Sequence, residues 1–254
     1  MEIGDVGLLL GAGLVAGAVN AVAGGGSLIT FPSLLATGLA PVTANVTNAM
    51  AICPGYVASV AGSRKDLSGQ GRRAGALLPA AIIGSVVGAV LLLVTPARAF
   101  DLIVPFLVIG AATILAFQTR LQSLIGHPRD LSSGRRTLVL QTLTGLGAVY
   151  GGYFGGALGV VLLAVLALVL DEQLRRVSAL KNVLSATVGI ANVVVFALFG
   201  PVSWLSVAVL APATIVGGYV GAQVARRLPT AVLRWTVVAF GLTVGVVLLF
   251  RALR

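Results

Sequence analysis

The chain has 254 residues, of which 58% are hydrophobic and 9% charged, with a mean hydropathy of +1.06. Soluble globular domains carry about 25% charged residues, so this chain lacks the polar surface to cover a water-exposed body, and a soluble enzyme is excluded. The net charge of +10, from 17 Lys plus Arg against 7 Asp plus Glu, falls in short gaps between long apolar runs. That is the pattern of cytoplasmic membrane loops, not of an amphipathic nucleic-acid surface with interleaved aromatics, so no nucleic-acid partner is expected.

The start MEIGDVG carries Glu2 and Asp5 and no basic residue, unlike the n-region of a cleaved signal peptide, so residue 1 onward is expected to be mature protein. Runs of about 20 apolar residues cross a hydrocarbon core of about 30 Å as helices. Eight runs predict such spans: Val6 to Ala23, Val42 to Gly62, Ala76 to Thr95, Phe100 to Gln118, Leu138 to Phe154, Val177 to Phe199, Trp204 to Ala225 and Val232 to Phe250. Two shorter stretches, Leu28 to Leu39 and Leu158 to Leu170, each follow a glycine cluster and read as re-entrant segments. The expected fold is therefore all-α and integral to the membrane. The one cysteine, Cys53, lies inside an apolar run, which excludes a disulfide within the chain.

Basic residues orient these segments. Arg64, Lys65, Arg72 and Arg73 share one connection; Arg120, Arg129, Arg135 and Arg136 the next; Arg175 and Arg176 a third; Arg226, Arg227 and Arg234 a fourth. All four fall on the cytoplasmic side of the inner membrane if each short segment returns the chain to the side it came from, which places both termini outside. If each glycine cluster merely interrupted a single span, the third and fourth connections would be stranded outside.

The loop Thr119 to Arg136, with Gly126, His127, Pro128 and Gly134, is the expected linker between two membrane repeats, 1–118 and 137–254. The first repeat reads GLVAGAVNAVAGGGSLITFPSLLATG from Gly13, and the second GLGAVYGGYFGGALGVVLLAVLALVL from Gly145. A helix opening with small and polar residues follows in each, TANVTNAM from Thr43 and VSALKNVL from Val177. Five hydrophobic segments per half send the second half into the membrane from the opposite side, and such inverted repeats mark secondary transporters with a midplane site between the halves.

The stretch NAVAGGGSLITFPSLLATGLAPVTANVTN, the second-half YGGYFGGALG, and LRRVSALKNVL followed by FGPVSW resemble the TauE/SafE family of sulfite exporters over Val6 to Phe250. The resemblance implies an integral membrane protein with a duplicated half that exports sulfite, sulfonates or related small anions. It implies a transporter more firmly than it implies sulfite.

Ionisable groups at membrane depth are costly, so Lys181 stands out. Ser178, Asn182, Ser185 and Asn192 recur around it at helical spacing. Its ammonium could pair with a sulfite oxygen, or its stem could carry it to the cytoplasmic interface one turn from Arg176. Pairing TANVTN with VSALKN sets Thr47 and Asn48 opposite Lys181 and Asn182, with Asn45 at the same depth. Neutral donors of this kind suit an oxyanion that must be released again, or they bond between helices.

The clusters Gly24, Gly25, Gly26 and Gly155, Gly156 let the backbone unwind and aim helix N-termini at an anion, with Ser27 as a cap and Asn20 one turn before the break. Tyr150 and Tyr153 flank the second cluster. Gly84 with Gly88, Gly217 with Gly221 and Gly241 with Gly245 read as close-packing pairs. GAGLVA from Gly11 lacks the strand and acidic residue of a dinucleotide site, and GGGS lacks the lysine of a phosphate loop. His127 is the single histidine and the seven acidic residues lie at run ends or in loops, so no metal, cofactor, carboxylate proton relay or intramembrane hydrolase is expected. The expected partners are a small anion and the lipid bilayer, with a homodimer left open. The function reads as a secondary carrier working by alternating access, with a passive anion channel as the alternative.

Overall fold

The computed structural model describes residues 2–22, 24–117, 120, 133–170, 172–224 and 230–252. Within them are ten helices and no strand. They are α1 (Ile3–Val22), α2 (Ser27–Ala36), α3 (Pro41–Gly62), α4 (Gly71–Val94), α5 (Ala97–Ala116), α6 (Ser133–Tyr153), α7 (Leu158–Val169), α8 (Leu174–Phe199), α9 (Trp204–Val224) and α10 (Thr230–Ala252). All ten expected segments are present, each bounded within about a turn and a half of the expected limits. The expected linker falls outside the described residues, His127 included, apart from Arg120 and the first turn of α6.

By length and hydropathy together, Ile3–Asn20, Gly71–Val94, Ala97–Ala116 and Arg175–Phe199 are fit to cross a membrane. The apolar stretches Trp204–Val220 and Val237–Phe250 are shorter. With its 22 residues α3 is long enough, but Thr43, Asn45, Thr47 and Asn48 fall in its first turns, and the last three are buried inside the protein. Punctuation at the ends is local: Gly38 at φ +85° stops α2, and Pro41 opens α3 where a missing N–H costs no helical bond.

Glycines draw the long helices together. A Cβ on Gly17 of α1 would stand 2.4 Å from the Thr214 carbonyl oxygen of α9, and one on Gly217 of α9 would stand 2.1 Å from the Leu14 carbonyl oxygen. The seam between α4 and α6 repeats the device: Gly88 would meet the Val149 carbonyl at 2.0 Å and Gly152 the Ser85 carbonyl at 2.2 Å. Lipid gives little hydrophobic drive for helix pairing, so such backbone approach supplies the dispersion contacts that hold it. Between these seams α3 packs on α8, α5 on α10, α2 on both α1 and α3, and α7 on both α6 and α8. Exposed Ile83, Phe106, Leu146, Leu198 and Tyr219 face outward as a lipid-facing surface requires, whereas α2 is buried along most of its length.

Helix direction follows from contacts at the ends. Gln141 near the start of α6 donates to the Ala76 carbonyl near the start of α4, and Tyr153 at its end reaches Thr95 just past the end of α4, so these two run the same way. Ser63 at the end of α3 meets Asn182 near the start of α8, while Thr47 near the start of α3 meets Ser203 beyond the end of α8, so α3 and α8 are antiparallel.

Candidate functional site

The two glycine clusters meet. Gly24, at φ +78°, and Gly159, in the first turn of α7, are so close that a Cβ on either would stand 2.7 Å from the other's Cα. Only glycine permits both the left-handed turn and this approach. Gly155, at φ +72°, makes the matching turn before α7. Across the junction the Ser27 hydroxyl donates to the Gly155 carbonyl at 3.4 Å, and Phe31 meets Phe154 edge-on at 5.4 Å between ring centroids.

Backbone groups released by unwinding need partners inside a membrane. Asn20 provides one, its Oδ1 accepting from the Gly26 N–H at 2.8 Å. That corrects the expected cap: Ser27 reaches across to the other half, while Asn20 of the preceding helix satisfies the break. No Cβ fits at Gly26 either, since it would lie 2.3 Å from the Ala16 carbonyl oxygen. On the other side the Tyr150 hydroxyl donates to the Gly156 carbonyl.

Beside this junction lies a cavity of about 20 Å³, the size of a single water site, lined by Ser27, Asn48, Tyr56, Gly155, Gly189 and Asn192 among others. Asn48 is 2% exposed; its Oδ1 accepts from the Thr30 hydroxyl, which leaves its N–H₂ without a partner among the described residues. Asn192 is fixed more fully, accepting from Ser85 at 2.7 Å and donating to the Gly151 carbonyl at 3.1 Å. Ser85 also caps the Val188 carbonyl at 3.0 Å. The lining thus offers neutral donors, polarised but uncharged.

The other expected site residues are distributed along the antiparallel pair. Asn45 donates to the Tyr153 carbonyl at 2.9 Å, and Thr47 accepts from the Ser203 N–H at 3.0 Å, so both tie the start of α3 to the second half. Asn182 donates to the Ser63 hydroxyl at 3.2 Å at the opposite end. Lys181 lies beside it in the chain and is 3% exposed. Thr47 and Asn48 therefore do not face Lys181 and Asn182: positions equally far from the starts of two antiparallel helices lie at opposite ends. Asn48 faces the cavity with Asn192 instead. Asn192 was legible only as a member of the polar stripe, and Thr30, Tyr56, Ser85, Gly151 and Gly189 carried no signal tying them to one place.

At the end where Asn182 meets Ser63, charged groups join the α3–α4 turn to the α7–α8 turn. Glu172 binds Arg73 at 3.3 Å and Arg176 at 3.0 Å, Arg175 approaches Asp66 at 3.8 Å, and Gln70 donates to the Arg176 carbonyl at 3.0 Å. The opposite end is tied by the neutral Thr47 and Asn45 contacts.

The chain is 28% identical to the probable membrane transporter protein YfcA of Escherichia coli strain K12 over 231 residues, 88% of this chain and 80% of that one. It is 27% identical to a probable membrane transporter protein of Haemophilus influenzae over 240 residues, covering 94% of this chain and 92% of the relative. A probable membrane transporter protein ORF9 of a Sinorhizobium species is 28% identical over 222 residues, 87% and 81% of the two chains. No solved structure matches. The family model described as sulfite exporter TauE/SafE matches residues 9–248, nearly the whole length over which the glycine junction, the polar cavity and the ionic face are built, and the chain belongs to that family of transmembrane transporters.

Proposed function

We propose that the protein is a secondary carrier of the inner membrane that exports a small sulfur-containing anion, such as sulfite, sulfoacetate or another organosulfonate, by alternating access between two inverted repeats. In this reading 1–118 and 137–254 are the repeats and 119–136 the cytoplasmic linker, eight helices cross the bilayer, and α2 and α7 are re-entrant. Both termini lie outside. The packing supports such a repeat: α1 on α9 corresponds to α6 on α4, and the series α1, α2, α3 to α6, α7, α8. At about 15 and 18 Å, α2 and α7 have roughly half the length a crossing needs.

The observation that carries the proposal is the mutual contact of Gly24 and Gly159 beside the cavity of Asn48 and Asn192. Two broken helices meeting at a polar pocket are the arrangement in which transporters hold a midplane substrate. The N–H groups of Gly25 and Gly156, the N–H₂ of Asn48 and, on release of its long contact with the Gly155 carbonyl, the Ser27 hydroxyl would be the anion's donors, whereas the N–H groups of Gly24, Gly26 and Gly155 are bound to Val19, Asn20 and Tyr150. A cavity of about 20 Å³ is too small for sulfite, so in this reading the structure is a closed state of the carrier. The ionic contacts of Glu172 would then be the closure on the cytoplasmic face. Purified protein in liposomes loaded with unlabelled sulfite is expected to accumulate labelled sulfite transiently by counterflow. Uptake that never exceeds equilibration would indicate a channel, and no movement of sulfite, sulfoacetate or a taurine-like anion under any ion gradient would refute transport of this class.

A further inference from the structure

The cavity at the junction is lined by neutral groups, while Lys181 is the one formally charged side chain among the buried described residues. It lies on α8 seven residues before Val188 of the cavity lining, about 10 Å nearer the ionic face along the helix axis. Among the described residues it has no hydrogen bond or ion pair; the acids of the ionic face, Asp66 and Glu172, are bound to arginines. One turn on, Ser185 is buried with its hydroxyl unpartnered. On α6, which packs against α8 and runs the same way, Thr144 is likewise buried and unpartnered. Gly151 of α6 meets Val188 and Asn192 of α8, and Thr144 lies two turns before Gly151 as Lys181 lies two turns before Val188. Two buried hydroxyls without protein partners thus lie at or within about one turn of the level of Lys181.

An ammonium held in a low-dielectric interior with no counter-charge destabilises the folded state, and replacing it by an apolar group of similar shape relieves that. Its retention needs a partner that arrives and leaves. From these placements we infer that Lys181, with Ser185 and Thr144, forms an oxyanion station separate from the central cavity, where the substrate docks between the ionic face and the glycine junction. The station rests on the transporter reading. It divides the work along the path: a charged stop strips the anion of water near the cytoplasm, and neutral donors hold it weakly at the junction, where tight binding would stall turnover.

The test compares wild type, Lys181→Met and Lys181→Arg as purified full-length protein, with radiolabelled sulfite as the probe and thermal unfolding measured beside binding. Lys181→Met is expected to weaken sulfite binding about tenfold or more, the scale of one lost charge-assisted hydrogen bond, while its unfolding midpoint holds or rises. Lys181→Arg, which keeps the charge, is expected to bind more tightly than Lys181→Met. Binding by Lys181→Met within about twofold of a wild type that itself binds would overturn the station and leave the transporter reading standing. So would a lost affinity that tracks a fallen midpoint. A wild type that neither binds nor exchanges sulfite or sulfoacetate would take the substrate reading and the station down together.

Discussion

Replacing Gly24 by alanine tests the junction most directly. At φ +78° an L side chain meets a left-handed penalty of about 1–2 kcal/mol. The new methyl would also stand 2.7 Å from the Gly159 Cα and 2.9 Å from its carbonyl carbon, backbone atoms that cannot rotate aside. Overpacking of this kind costs about 1–3 kcal/mol, so the two effects together come to about 2–5 kcal/mol. Two further variants separate them. Gly38→Ala has the same backbone strain, at φ +85°, with nothing within 4 Å of the added atom, so it should cost about 1–2 kcal/mol. Gly159→Ala has the same contact without a left-handed backbone and should cost about 1–3 kcal/mol. Cys53 is free, buried and the single cysteine, so a thiol-reactive fluorophore reports unfolding without an added label. The expected order of midpoints is wild type highest and Gly24→Ala lowest, with the other two between. Counterflow should fall in Gly24→Ala and Gly159→Ala but not in Gly38→Ala. A Gly24→Ala protein as stable as Gly38→Ala would refute the claim that the two breaks touch.

Other substitutions probe the remaining contacts. Gly88→Ala would drive a methyl to 2.0 Å from the Val149 carbonyl and should abolish folded yield on size exclusion, whereas Gly110→Ala, with nothing within 4 Å, should leave it unchanged. Asn48→Ala removes the acceptor of Thr30 and the free amide of the cavity, so labelled sulfite binding should weaken by about 1–3 kcal/mol while the protein stays monodisperse. Glu172→Gln breaks two ion pairs whose side chains are 26% to 36% exposed, so each is worth at most about 1 kcal/mol and stability should barely move. The face that these charges tie should nevertheless open more often, read as faster modification of Cys53 by a thiol reagent; an unchanged rate would remove Glu172 from the proposed closure.

The order and extent of the helices were legible because apolar run length and glycine or proline punctuation act locally. Gly84 and Gly88 likewise reveal a packing face from spacing alone, and the structure seats that face on α6. Partners across the fold were not legible. Glu172 joins Arg73 over 99 positions, and nothing in either neighbourhood specifies the other. The pairing of Thr47 and Asn48 with Lys181 and Asn182 failed for a geometric reason: alignment finds equivalent positions, and in antiparallel helices equivalent positions are far apart unless they sit at the crossing. Asn192 lies near that crossing, which is why it joins Asn48 at the cavity although it has no counterpart at the aligned depth.

Unsatisfied polar groups point to the path more sharply than sequence motifs do. A membrane protein that unwinds two helices exposes amides and carbonyls to a medium without water, and here side chains answer them one by one: Asn20 for the Gly26 N–H, Ser27 for the Gly155 carbonyl, Tyr150 for the Gly156 carbonyl. Satisfaction that thorough at the junction makes the groups left over informative. The amide of Asn48 lies at the cavity, the hydroxyl of Ser185 within a turn of Val188 and that of Thr144 two turns before Gly151, and the side-chain oxygens of Asn45 and Gln70 are left over as well. The hydroxyls can donate or accept, and the side-chain oxygens of Asn45 and Gln70 only accept. A neutral apolar solute would leave them as costly as they stand, whereas a polar or charged solute would satisfy them.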